Sequence, residues 1–224
     1  MLRPVARLML LLIAVAALLL TLIRAQRYDD GGVKRFFNAC APMPCWGDIH
    51  PGETTLNQAL AILRAHPWVE TVSEVYASPY EGDTRTVLIY WTWSSGYPFG
   101  GVSRPTQQGI IITDQGIVRQ VYLTTSLALG DLWLAFGNPQ GGLVDYIYDT
   151  RHVRVDDTAL FIRQGIAATA TLIADCTDQY PNFWRTPVYL WLQTNVALAN
   201  GSAAYPSYLR LLHLGYQQVR ASFC

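Results

Sequence analysis

The stretch GIIITDQGIVRQVYLTTSLALGDLWLAFGNP, residues 109–139, decides how the chain is read. Its first half alternates β-branched and polar residues on either side of Asp114-Gln115-Gly116, where Asp and Gly supply turn conformations, so it reads as a β-hairpin. Its second half, Ser126 to Pro139, places Leu127, Leu129, Leu132, Trp133 and Phe136 at helical spacing and ends on Gly137 and Pro139. That pattern predicts a short helix. Sheet therefore gives way to helix within a single run.

The same order occurs upstream. In TTLNQALAILRAHPWV, residues 54–69, Leu56, Ala59, Leu60, Ile62 and Leu63 repeat at helical spacing, Thr54 or Thr55 is placed to cap, and Pro67 stops the helix. Laid on the later helix with a shift of 72 residues, Thr54 meets Ser126, Leu60 meets Leu132, and His66-Pro67 meets Asn138-Pro139. Strand-like tracts follow each helix. Val69 to Tyr76 and TVLIYWTW (86–93) come after the first; LVDYIYD, TALFIRQG, ATATLIAD and VYLWLQTN come after the second.

Self-similarity at one long period predicts duplicated units. The expected fold is α+β, with two similar modules, each a short helix followed by an antiparallel sheet of about four strands. The expected boundaries are 1–27 for a membrane segment, 28–39 for a Gly-containing linker, 40–123 for the first module and 124–224 for the second. The second module would close with a C-terminal helix carrying Leu209, Leu212, His213 and Tyr216 on one stripe.

The order Pro51-Gly52-Glu53-Thr54-Thr55, helix, Pro67, then antiparallel strands resembles the small envelope modules typified by the outer-membrane assembly lipoprotein BamE and, in tandem, by the β-lactamase inhibitor protein. Phe136-Gly137-Asn138-Pro139 matches the helix-ending L-G-x-P of such modules; His66-Pro67 lacks the Gly, and the lipobox Cys of the lipoprotein members is missing. The resemblance covers about a tenth of the chain. It implies helices packed on one face of an antiparallel sheet and action by binding other proteins, and it carries over no functional residue.

Composition places the chain in a compartment. Leu8 to Ile23 is an uncharged apolar run of sixteen residues flanked by Arg3, Arg7, Arg24 and Arg27. It is shorter than the roughly 20 residues of a comfortable span and long for a signal-peptide core. An uncleaved signal anchor is expected, a single pass that leaves the bulk of the chain extracytoplasmic at the cell membrane; a cleaved, secreted form is the alternative. No acid precedes Asp29, so the rest of the chain is net acidic, which argues against nucleic acid as a partner. Hydrophobic residues make up 51% and charged ones 14%. A disordered chain is excluded.

An oxidising compartment turns the four cysteines, Cys40, Cys45, Cys176 and Cys224, into expected disulfides. Three pairings are open: Cys40 with Cys45 would clip a Pro-stiffened loop, and Cys176 with Cys224 would tie the tail to the body. A zinc site using His50 beside Cys40 and Cys45 is the sharper alternative, but the C-x₄-C spacing is loose and further ligands are missing. No metal or cofactor is expected.

Catalytic signatures are missing: no G-x-S-x-G, H-E-x-x-H, P-loop or G-x-G-x-x-G occurs. Asp145 to Asp157 is the best acidic tract, with Asp149, His152 and Asp156 as a candidate polar site for an envelope hydrolase. Trp91 and Trp93 on a strand, with Trp91 read as opposed to Tyr90 and Trp93, join Tyr97 and Phe99 of the Gly/Pro loop 94–105 as a candidate binding surface for a protein or a glycan. The expected function is non-catalytic, a membrane-anchored envelope binding or scaffolding protein partnered by another envelope protein.

Overall fold

The computed structural model describes residues 9, 11–18, 21, 32–37, 44–76, 86–99, 108–148, 153–174, 183–194, 196, 203–205 and 207. The chain divides into two units, Met1–Asp30 and Gly31–Cys224. In the first, residues 11–18 are helical, their apolar side chains exposed, and the Thr21 hydroxyl donates to the Leu18 carbonyl. Among the described residues no helix is long and apolar enough to cross a membrane.

In the second unit the hairpin at 114–117 forms as read, with a shifted division of labour. Asp114 pairs with Ile117, and the turn is made by Gln115 and Gly116, both at positive φ (51° and 77°). Two positive-φ residues are what a two-residue hairpin needs to match the strand twist. The strands so joined are β3 (Gln108–Asp114) and β4 (Ile117–Ala128). Preceding them are β1 (Val69–Tyr76) and β2 (Val87–Trp93); following are β5 (Gly141–Tyr148), β6 (Val153–Phe161), β7 (Ile166–Ala174), β8 (Pro187–Gln193) and the two-residue β9 (Ala203–Ala204).

The expectation of two modules with separate sheets is corrected by the strand order. All nine described strands form one antiparallel sheet, β1-β2-β3-β4-β8-β7-β6-β5-β9. The join is β4 against β8, with Tyr122 opposite Trp191 and Leu123 opposite Leu190. β4 runs for twelve residues, and its far side is paired with β8 rather than left as the edge of a first module. The expected boundary at residue 124 falls inside this strand, at a residue paired with Tyr189.

The later helix is also shorter than its periodicity predicts. Ser126 resembles an N-cap, yet its N–H donates to the Phe99 carbonyl, and the Thr125 hydroxyl donates to the Val188 carbonyl while accepting the Leu127 N–H. These bonds hold 125–127 in the strand through an irregularity between Thr124 and Ala128. The helix starts at Leu129, where Asp131 accepts the Ala128 N–H, and ends at Gly137, whose φ of 78° is open to glycine at little cost.

Three helices are described in this unit: α1 (Val33–Phe36), α2 (Leu56–Ala65) and α3 (Leu129–Phe136). α2 begins as the sequence predicts. Thr55 is the N-cap and forms a capping box with Gln58, whereas Thr54 is buried and accepts the His50 N–H. The 52–56 segment is stitched to the hairpin by Gly52 N–H to Val118 O, Val118 N–H to Thr54 O and Leu56 N–H to Gly116 O. The expected C-terminal helix carrying Leu209, Leu212, His213 and Tyr216 lies outside the described residues.

All three helices pack on one face of the sheet. Leu60 and Leu63 of α2, Leu129 and Leu132 of α3, and Val33 and Phe36 of α1 join one buried cluster with Ile89, Ile111, Val121, Leu123, Leu190 and Leu192. That cluster crosses the β4·β8 join without interruption.

Gly109 shows how tightly it is filled. Trp91 sits over this glycine in the neighbouring strand, and a Cβ placed there would fall 1.9 Å from the indole. Gly109→Ala should therefore cost about 1–3 kcal/mol, the range for overpacking. A lowered denaturant midpoint at unchanged slope checks this.

Candidate functional site

The candidate surface built on Trp91, Trp93, Tyr97 and Phe99 is corrected: all four are buried, at 1%, 8%, 7% and 5% exposure. On a strand, residues two apart share a face. Trp91 and Trp93 therefore lie together on the helix-covered side with Val87 and Ile89, and Tyr90 and Thr92 lie on the other. The Gly/Pro loop folds its aromatics inward. Tyr97 stacks on Trp93 (3.8 Å, 7°) and donates its hydroxyl to the Thr124 carbonyl, and the Trp93 indole N–H donates to the Thr124 hydroxyl. With their polar tips satisfied on β4, both rings can be buried. Burial raises the Tyr97 pKa well above its ordinary value.

Trp46 completes this nest from the 40–55 segment, stacked on Trp91 at 5.6 Å and tilted against the His66 ring at 4.8 Å. His66 closes α2: its N–H reaches the Leu63 carbonyl, and its Nδ1 accepts the Trp68 N–H at 3.2 Å. The imidazole must be neutral at Nδ1 to accept. Burial lowers its pKa, and Asp48 opposes this only in part.

Of the polar candidate site, only Asp156 lies among the described residues. Asp149 and His152 lie outside the described residues. Asp156, on β6, accepts from Arg154 Nε at 3.0 Å and from the Thr171 hydroxyl at 2.7 Å. Burial raises its pKa, but the hydrogen bonds from Arg154 and Thr171 outweigh that and hold the carboxyl below its usual value. The adjacent Asp157 points to the opposite, helix-covered side and is fully buried. Two carboxylates on opposite faces of a strand cannot serve one substrate.

Cys45 is buried and disulfide-bonded. Cys40, Cys176 and Cys224 lie outside the described residues. Beside Cys45, Pro44 packs on Gly165, whose φ of 65° and lack of a Cβ allow the approach. Among the described residues no three His, Cys, Asp or Glu side chains could hold a metal ion.

What the sequence reading missed is the other face of the sheet. Along the β4·β8 join, Tyr122 stacks on Tyr189 (5.8 Å, 12°) and leans on Trp191 (4.5 Å, 54°), and Gln120 donates to Gln193 at 2.8 Å. Polar pairs flank this centre: Thr71 with Thr92, Thr158 with Thr169, and Asp156 with Thr171. Tyr90 and Ile110 lie opposite one another on the same side. Burial, with Tyr189 adding to it, pushes the Tyr122 pKa up to about 12, so the phenol stays neutral and can donate.

No described helix packs on this side. Among the described residues Val196 covers part of it, against Leu160, Ala167 and Trp191. Half-buried aromatics ringed by hydroxyls and amides can bury apolar area in a partner and still satisfy its polar groups.

Compared with family models, curated proteins and solved structures, the chain matches none of them.

His66 gives a pH prediction. A His whose pKa is lower folded than unfolded stabilises the fold fully above about 6.5, and that contribution is lost as pH falls from there through the folded value. Denaturant midpoints measured between pH 7.5 and 5 should fall more steeply for the wild type than for His66→Gln.

Proposed function

We propose that the protein is a non-catalytic binding or scaffolding component of a bacterial envelope. It is held at the membrane by its N-terminal apolar segment, with its body outside the cytoplasm, and it engages another envelope protein through the sheet face centred on Tyr122, Tyr189 and Trp191. The observation that carries the reading is this aromatic centre, on the side of the sheet opposite the three helices. Protein interfaces concentrate their binding energy in Tyr and Trp set among polar groups. The disulfide at Cys45 supports an oxidising compartment, and the sixteen-residue run Leu8–Ile23 supports attachment. Asp156, the described member of the polar candidate site, is engaged by Arg154 and Thr171.

The test is site-specific photocrosslinking in intact membranes, with a photoreactive residue at position 122 and, as control, at Ala61 on the exposed side of α2. A discrete protein adduct from 122 and none from 61 is expected. Tyr122→Ala should then weaken capture of that adduct's partner about thirtyfold, the effect of a residue worth ~2 kcal/mol at an interface. Equal labelling from both positions would discard the reading.

A further inference from the structure

We propose that the α3 end of the body rests on the lipid headgroup surface, with Trp184 and Leu134 inserted into it. Trp184, in the short 3₁₀ turn Phe183–Arg185, is 55% exposed, and Leu134 of α3 is 65% exposed. The two belong to one rim. Gly130 of α3 packs directly on the Trp184 backbone, with a Cβ there only 2.7 Å from the Trp184 carbonyl oxygen, and Leu134 lies one turn along the helix on the Gly130 side. Trp133 braces the indole of Trp184 at 4.9 Å and donates its own N–H to Asn138. Arg185 next to it is exposed.

A Trp and a Leu at the surface beside an Arg suit the boundary between acyl chains and headgroups: the indole is amphipathic, and the guanidinium meets phosphate. Asp131, the acid of α3, is turned to the Ala128 N–H at the start of the helix.

The path of the chain selects a bilayer over a protein as the occupant. The body is entered at Gly32 and α1, and α1 packs against α3, with Phe37 against Phe136 at 5.5 Å. Only residues 24–31 separate the apolar run from this point. Eight residues span at most about 29 Å, so an embedded run would tether Gly32, and α1 with it, within that reach of the lipid. The inference rests on the anchoring part of the function proposed above and is independent of the sheet face.

The experiment uses the full chain reconstituted into phosphatidylcholine/phosphatidylglycerol vesicles carrying bromine on shallow acyl carbons. Flotation reports anchoring, and quenching of tryptophan fluorescence reports contact. The expected result is a floating protein whose quenching is largely lost in Trp184→Phe, and also in Leu134→Glu, which keeps every tryptophan and, at so exposed a position, the fold. Failure to float overturns the anchoring and this inference together. Flotation with equal quenching in the wild type and both variants overturns the inference alone and leaves anchoring in place.

Discussion

The hydrogen-bonded pairing of β4 with β8 is the constraint on which the rest of the structure depends. It makes one sheet of strands that could have formed two, and it brings Val121 and Leu123 beside Leu192 and Leu190 on the covered side. On the other side it brings Tyr122 beside Tyr189 and Trp191. The continuous core and the aromatic centre are thus the two faces of a single pairing. Because side chains alternate across a strand, a slip of one residue would exchange them, placing Leu190 in water and Tyr122 under the helices.

Polar bonds at the end of the same pairing hold the register. Thr125 and Ser126 reach Val188 and Phe99, and Thr124 receives both Trp93 and Tyr97. In this way the loop after β2, the strand β4 and the start of α3 are fixed together. Rings that could have formed a surface patch become the cover of the join.

How much of this was legible depended on how local each determinant is. The capping box at Thr55, the hairpin at Gln115-Gly116 and the strand Val87–Trp93 are set by neighbours within a few residues, and the sequence shows them. Ser126 misleads because a hydroxyl before a helical period looks like a cap; a distant carbonyl on Phe99 decides otherwise. In VYLWLQ both alternating sets are apolar, so nothing local says that Tyr189 and Trp191 face away from the helices. The partner of β4 is likewise a long-range choice, and a repeat of helix and strands reads equally well as two sheets or one. The Gly/Pro loop suggested exposure for Tyr97 and Phe99, and only the acceptor on Thr124 shows why Tyr97 is buried.

The join also orders events in time. Gln120 and Gln193, bonded across it, stand 73 residues apart, so a chain made from its N-terminus completes the β3–β4 hairpin long before β8 exists. Throughout that interval the outer side of β4 is a row of unmet N–H and C=O groups flanked by Tyr122 and Leu123, a template for pairing with any passing strand. Closure of the sheet is a loop-closing step of high contact order and correspondingly slow. Until β8 arrives, the nascent sheet therefore carries an edge that its finished form conceals, of the kind that invites aggregation.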